Sequence, residues 1–129
     1  VNTPEYISEL DSLNRSLALA KGMDASKIRH ASYGAPVMIF IANDPSYDFS
    51  QVDCGLLGAN MILTAQSLGL GSCCLGGIAR TMKLPEAESL LKRLQLPENY
   101  NLLYAISFGY PDESPAAKPR KTEKIKFIE

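Results

Sequence analysis

The chain has 129 residues, with 46% hydrophobic and 21% charged side chains, which is ordinary for one globular domain. Its formal net charge of −1 argues against a nucleic-acid or anionic-membrane surface, because either partner would require a basic excess. No apolar run approaches the ~20 residues that cross a bilayer and the N-terminus lacks a signal-peptide pattern, so the predicted location is the cytoplasm.

The first quarter of the chain predicts a helix and then a polar connection. Thr3 is a candidate N-cap, Pro4 suits the first helical position, and apolar residues recur at helical spacing up to about Ala20. The residues that follow are mixed and polar. They include His30, the only histidine, for which we expect an exposed or simply hydrogen-bonded role.

A buried strand and an unusual helix come next. Residues 37–42 are continuously apolar, which is typical of a strand that is covered on both faces. A helix over about Val52 to Leu68 is apolar nearly all round, so we expect it to be buried. Gly55 and Gly58 each lower its helix propensity by about 1 kcal/mol relative to Ala. A close helix–helix crossing or a subunit interface would explain them.

The second half predicts three strands and one helix. Cys73 to Leu75 forms a short strand, a third helix opens at Leu84, and Asn101 to Gly109 forms a second buried strand. Residues 124–128 alternate polar and apolar, as a half-buried edge strand does. With no internal repeat, the order of elements predicts an α/β or α+β domain with helices over a small sheet.

The three cysteines give little sign of a disulfide or a metal site. Their number is odd and Cys73 is next to Cys74 in the sequence, so the three cysteines form a poor disulfide framework. With one histidine and no Cys-x-x-Cys pair, no metal site is predicted. We expect Cys54, Cys73 and Cys74 to be small buried side chains in a reducing compartment, with a reactive thiol pair as the alternative.

The stretch from Gln66 to Arg80 carries the most information. A short apolar run there ends on Gly76 and Gly77, and two glycines after a strand indicate that something flat or bulky lies against the main chain. The glycines upstream follow a helix, whereas a dinucleotide-binding fingerprint follows a strand. A Walker A sequence, a nucleophile elbow and a Ser-His-Asp triad also lack support.

A second candidate for ligand binding is the basic run Lys118 to Lys121. Short basic runs are often solvated surface, but Arg and Lys also clamp phosphate groups, Arg through two parallel hydrogen bonds and Lys as a point charge. The flanking prolines would stiffen this segment.

Taken together, these features resemble the C-terminal part of the FMN-dependent nitroreductase family. The order and spacing of four stretches carry the resemblance: Ala35–Ala42, Asp53–Cys73, Leu96–Pro111 and Lys118–Lys121.

The resemblance implies an α+β fold, an α/β/α sandwich with a small mixed sheet flanked by helices, and a flavin pocket. In that family the segment that corresponds to Cys74, Leu75, Gly76 and Gly77 lies along the flavin ring, with the Gly76 N–H facing flavin N5. Basic side chains hold the FMN phosphate, and Lys118 and Arg120 occupy the matching positions. No catalytic acid–base residue is expected, because the chemistry belongs to the cofactor.

The resemblance also implies an activity and an assembly. The expected enzyme transfers a hydride from NAD(P)H to a nitroaromatic or quinone acceptor by a ping-pong mechanism. The apolar helix resembles the family's dimer helix, and residues 124–128 resemble an arm that crosses to the partner of a homodimer.

One departure from the family leaves an alternative open. Family members begin with an arginine-rich segment and a Ser-x-x-Asn-x-Gln region that contact FMN, and neither occurs in this sequence. We therefore expect residues 1–129 to form one domain that is truncated at its N-terminus relative to the family. The alternative function is a dimeric ligand-binding or structural relative with a deficient flavin site and no enzyme activity.

Overall fold

A three-stranded sheet lies at the centre of the protein, for which a computed structural model describes residues 1–128. The strands are β1 (Val37–Asn43), β2 (Gly71–Leu75) and β3 (Asn101–Gly109), in the order β1-β3-β2. Both β1 and β2 run antiparallel to β3. The predicted α+β class is confirmed, but the expectation of a mixed sheet is wrong for these strands, since the central strand runs opposite to both neighbours.

Within residues 1–128, four α-helices cover the sheet: α1 (Pro4–Ala20), α2 (Ser50–Ser67), α3 (Gly77–Thr81) and α4 (Glu88–Arg93). The α1 boundaries match the prediction, although the side chain of the N-cap Thr3 makes no capping hydrogen bond. The predicted third helix is divided into a 3₁₀ turn and α4. Helix α3 was not predicted, because five residues are too few to show helical periodicity.

One face of the sheet is covered by α1, α3 and α4, and the larger hydrophobic core lies there. Tyr6 and Leu10 of α1 are buried in this core, and the Tyr6 hydroxyl donates to the Leu90 carbonyl of α4 at 3.0 Å. The Tyr6 ring also meets Phe40 edge-on, with 5.9 Å between ring centroids. The buried members of the core are Tyr6, Ile7, Leu10, Met38, Leu75, Ile78, Ala79, Met82, Ala87, Leu90, Leu102 and Ala105.

The other face of the sheet carries α2 alone. In residues 1–128 the hydrophobic cluster between this helix and the sheet has three buried members, Ile41, Cys54 and Ile106. Large apolar side chains of α2 point away from the sheet, and Leu63 is 68% exposed. The expectation that α2 is buried is therefore wrong for the single chain, because one helix on an outer layer can bury only the side that faces the sheet.

Gly58 permits a close contact between α2 and β3. The Tyr104 hydroxyl donates to the Cys54 carbonyl, and a Cβ at Gly58 would overlap that hydroxyl. A Cβ at Gly55 would meet nothing within 4 Å. The sequence indicated a helix crossing or a subunit interface for both glycines, whereas the structure places Gly58 against a tyrosine of the chain's own sheet.

The C-terminal residues from Tyr110 to Ile128 form no strand in the described part of the chain. Phe127 and Ile128 are 91% and 98% exposed. The predicted edge strand over 124–128 is therefore wrong here, because a strand needs a hydrogen-bonding neighbour and this segment lies against none. None of the helices in residues 1–128 is long and apolar enough to cross a membrane. The predicted cytoplasmic location stays a prediction.

Candidate functional site

The segment from Cys74 to Gly77 lines a cleft of about 630 Å³. It joins β2 to α3 and forms one wall, while the C-terminal half of α1 and the connection after it form the opposite side. The structure therefore brings four of the residues that the sequence singled out to one cavity. The full lining is Asn14, Leu17, Ala18, Lys21, Met23, Arg29, His30, Ala31, Tyr33, Cys74, Leu75, Gly76, Gly77, Ile78, Arg80, Thr81 and Leu84.

The two glycines leave room against the main chain. A Cβ built on Gly76 or on Gly77 would meet nothing within 4 Å, so both α-carbons border open space. Leu75, just before them, is buried in the larger core and anchors the end of the strand. A flat group can therefore approach this main chain more closely than it could approach residues with side chains. This geometry fits the flavin ring that the resemblance implies.

Gly76 is exposed at the surface of the cleft, between the end of β2 and the start of α3. The main-chain hydrogen bonds of the turns and caps in residues 1–128 do not use its amide as a donor. A main-chain N–H without a protein acceptor is a strong donor that must be satisfied by solvent or by a bound molecule. Its expected contact with flavin N5 stays a prediction.

The opposite wall was missed by the sequence reasoning. It is formed by the connection between α1 and β1, where Arg29, His30 and Tyr33 line the cleft. In the sequence, two features could have pointed to this connection: the adjacent Arg29 and His30, and the Tyr33-Gly34 pair. In the structure, Tyr33 and Gly34 each have a positive φ. Nothing in the sequence says that this connection faces Gly76, because that contact depends on how α1 packs across the sheet.

Asp11 of α1 holds this wall in place. Its side chain, which is 12% exposed, accepts hydrogen bonds from the Ser32 amide at 2.9 Å and the Ser32 hydroxyl at 2.8 Å. His30 Nδ1 lies 3.1 Å from the same carboxylate. The hydrogen-bonded role expected for His30 is confirmed, and the contact ties the connection to α1.

Lys118 and Arg120 do not line the cleft. Both belong to the exposed C-terminal residues and are exposed themselves. The structure of the single chain therefore separates the two predicted parts of the flavin site. Their proposed role in phosphate binding stays a prediction.

The cysteines are all free thiols in different environments. Cys54 is buried, Cys73 is half-buried and Cys74 is exposed, so the expectation of three buried side chains is wrong for Cys74. Successive residues of a strand point to opposite faces, which separates Cys73 from Cys74. Burial raises the pKa of the Cys73 thiol, and Cys74 and Glu113 raise it further. The thiol is therefore not activated, which weighs against a reactive pair.

Comparisons with known proteins identify the family of this chain. The family model described as "Nitroreductase family" matches residues 6–110. The NADPH-flavin oxidoreductase of Vibrio harveyi is 38% identical over 69 residues, which are 54% of this chain and 27% of that protein. The FMN reductase (NADPH) of Bacillus subtilis is 28% identical over 96 residues, which are 74% of this chain and 36% of that protein. The chain thus spans well under half the length of these curated relatives.

A solved structure supports the fold over the whole chain. A nitroreductase with bound FMN from Desulfitobacterium hafniense superposes with a TM-score of 0.82 and 28% sequence identity, covering 100% of this chain and 73% of that one. Because the family model covers most of the sequence and the fold agrees, this protein belongs to the nitroreductase family.

Proposed function

We propose that this protein is an FMN-dependent oxidoreductase that passes a hydride from NAD(P)H to a nitroaromatic or quinone acceptor in a ping-pong cycle. The observation that carries the proposal is the pair of open glycines, Gly76 and Gly77, on a cleft of about 630 Å³. The Vibrio harveyi relative named as an NADPH-flavin oxidoreductase and the Desulfitobacterium hafniense nitroreductase with bound FMN give it further support.

The cleft residues have distinct parts in this proposal. Cys74, Leu75, Gly76 and Gly77 would hold the flavin ring against their main chain, with the Gly76 N–H as the proposed hydrogen-bond donor. The cofactor would supply the hydride chemistry, which no protein side chain supplies. The protein's own contribution is to orient both substrates, exclude water and present positive charge where negative charge develops.

Lys118 and Arg120 are proposed to hold the FMN phosphate. Arg offers bidentate hydrogen bonds to phosphate oxygens and Lys offers a compact charge. Both side chains are exposed in the single chain, so the contact requires the C-terminal residues to lie against the cleft or against the cleft of a second copy.

A homodimer is proposed as the working assembly. The side of α2 that faces away from the sheet exposes Val52, Leu56 and Leu63, which is a large apolar area for one helix. A mass by light scattering equal to two chains is expected, and a mass equal to one chain would contradict this part of the proposal.

The cofactor proposal is tested by filling the space beside the glycines. Gly77→Val places a branched side chain where a Cβ meets nothing within 4 Å, so the fold should tolerate it while the cleft loses room. We expect FMN affinity, measured by quenching of flavin fluorescence, to fall at least tenfold. Ser16→Val is the control, since it adds the same branched side chain at an exposed position of α1 that does not line the cleft.

The same FMN titration, with an assay of NAD(P)H oxidation, distinguishes the proposed enzyme from the alternative, a relative with a deficient flavin site and no enzyme activity. An unmodified chain that takes up FMN and oxidises NAD(P)H supports the enzyme. A protein that remains colourless with excess FMN and leaves NAD(P)H unchanged would support the flavin-deficient relative instead.

A further inference from the structure

The connection between α1 and β1 borders two cavities. One is the cleft of about 630 Å³, and the other is a pocket of about 470 Å³ that is lined by the first part of α1 and by this connection. Arg29 and His30 line both cavities. A movement of the connection would therefore change the walls of two cavities at once.

Side chains of α1 hold the connection in place. Asp11 and Asn14 are three residues apart, so they lie on the same side of the helix. Asn14 donates to the Arg29 carbonyl at 3.2 Å, and Asp11 accepts from the amide and the hydroxyl of Ser32 at 2.9 and 2.8 Å. Ser32 has no exposed surface. The connection is thus fastened to α1 at Arg29 and at Ser32.

The backbone just after Ser32 forms a strained turn. Tyr33 has a φ of 58°, in the left-handed region that bulky residues rarely adopt, and Gly34 has a φ of 76°. The Tyr33 amide donates to the His30 carbonyl at 3.1 Å, and the Gly34 amide donates to the Ser32 hydroxyl at 3.1 Å. Since the same hydroxyl donates to Asp11, release of Ser32 from α1 would remove a support of this turn.

One contact in this attachment depends on a group that titrates near neutral pH. His30 Nδ1 lies 3.1 Å from Asp11 Oδ2, the oxygen that also accepts from the Ser32 hydroxyl. Histidine is the residue type whose charge ordinarily changes between about pH 5 and 8. A charged imidazole donates a stronger hydrogen bond to a carboxylate than a neutral one does. The contacts of Asn14 and Ser32 have no such dependence on the charge of the donor.

Asp11 is the counter-charge of His30 in this arrangement. It is the one carboxylate among the residues in the described part of the chain that line the two cavities, and its side chain is only 12% exposed. The other charged or titratable side chains around the two cavities are Arg15, Lys21, Arg29, Tyr33, Cys74 and Arg80. Since those that carry a charge at neutral pH are cations, they cannot take the place of Asp11 as a partner for a charged His30.

From these contacts we propose that Asp11, His30 and Ser32 form a pH-sensitive latch, which holds the connection on α1 more firmly when His30 is charged. As the pH rises and His30 loses its proton, the connection separates from α1 more often. The walls of both cavities move with it. The latch is a property of the chain's own side chains and goes beyond the proposed oxidoreductase function.

The latch is tested by hydrogen exchange of the Ser32 amide, followed by NMR on the chain without added cofactor. This amide donates to Asp11 Oδ1, so it exchanges when the connection leaves α1. Its protection factor, which corrects for the intrinsic exchange rate, is compared at about pH 5.5 and about pH 7.5, on either side of an ordinary histidine titration. The factor should be about two- to fivefold higher at the lower pH, as expected for an ion pair with one exposed partner.

Two variants separate the latch from the other contacts of the connection. His30→Gln removes the titrating group at a side chain that is 73% exposed, so the fold should tolerate it. The protection factor of the Ser32 amide should then be equal at the two pH values. Asn14→Ala is the control, because it removes a contact that does not titrate. It should lower the protection factor at both pH values and leave their ratio unchanged.

The amide of Ile106, a residue of β3 with no exposed surface, reports global unfolding in the same experiment. A pH dependence that Ile106 shares with Ser32 would overturn the inference, since the whole fold would then be responding. Equal protection of Ser32 at both pH values, or no protection at all, would also overturn it. So would a pH dependence that persists in His30→Gln. None of these results requires FMN, so the latch and the proposed function succeed or fail separately.

Discussion

The two faces of the sheet are covered in opposite ways. On the first face, α1, α3 and α4 enclose a core that includes the fully buried Leu10. On the second face, α2 buries little, and Leu63 on its outer side remains 68% exposed. The first face is completed by the chain's own elements and also carries the cleft, whereas the second leaves an apolar helix to be covered by another surface.

This difference shows what an apolar helix does and does not imply. Helix α1 is polar on one side and packs its other side into a single-chain core, as expected for a surface helix. Helix α2 is apolar on both sides, yet only the side that faces the sheet is buried. The surplus apolar surface is the feature that supports the proposed homodimer.

The largest expected effect comes from deleting a side chain of the first face. Leu10→Ala removes a side chain with no exposed surface, and it should lower the free energy of unfolding by about 3 kcal/mol through lost burial and a residual cavity. Urea denaturation followed by circular dichroism measures this loss. A loss below about 1 kcal/mol would mean that the first face is not the principal core.

The second largest effect is expected at alkaline pH, where ionisation of Tyr6 in the core of the first face should lower the free energy of unfolding. Burial, with a smaller opposing contribution from Arg93, raises the pKa of Tyr6 from 10.0 to about 12. The folded state favours the neutral phenol of Tyr6. Its contribution to the free energy of unfolding is therefore fully present below pH 10 and is lost as the pH rises through 12. The loss should be about 2 kcal/mol.

The control for this pH dependence is Tyr6→Phe. It removes the titrating group and the hydrogen bond to the Leu90 carbonyl, at a cost of about 1 kcal/mol at neutral pH. Its stability should fall less than that of the unmodified protein between pH 10 and 12. An identical fall in both proteins would assign the pH dependence to other groups, such as Tyr104, whose pKa burial also raises.

A smaller effect tests the contact between α2 and the second face. Gly58→Ala should cost about 1–2 kcal/mol, because the added methyl group displaces the Tyr104 hydroxyl from the Cys54 carbonyl. Gly55→Ala has open space and should stabilise the helix by up to about 1 kcal/mol. Thermal unfolding of the two variants compares them directly, and equal effects would contradict the assigned contact.

The smallest effect on the stability of the chain is expected at the outer side of α2. Leu63→Glu changes a side chain that is 68% exposed, so the free energy of unfolding of one chain should change by less than about 0.5 kcal/mol. The mass by light scattering should nevertheless fall from two chains to one. Leu19→Glu, at an exposed position of α1, should leave the mass unchanged.

Residue patterns within a short stretch of sequence predicted most of the helices and strands. The bounds of α1 and of β3 match the prediction, since Pro4 marks the start of the helix and the apolar run from Leu102 to Ile106 marks the strand. Gly69, with a φ of +72°, lies just after α2 and has the left-handed conformation that glycine often adopts after a helix. The edge strand over 124–128 fails for the opposite reason, because alternation alone supplies no partner strand.

The candidate site likewise has one part that the sequence predicted and another that it did not. Gly76 and Gly77 are visible in the sequence, because glycines after an apolar strand are a local feature. Arg29, Tyr33 and Arg80 were not recognised, because each is unremarkable until α1 brings the connection before β1 opposite α3. The charge of the cleft is therefore a result of packing and not of any motif.

By itself, the sequence determined the α+β class, the principal helices and strands, and the glycine pair that marks one wall of the cleft. These depend on hydrophobic periodicity and on residues with special backbone freedom, which act over a few neighbouring positions. Only the tertiary structure decided which face of the sheet is complete, why Gly58 is required, and which cations meet at the cleft. Those depend on contacts between residues far apart in the chain, and such contacts form only when the helices pack on the sheet.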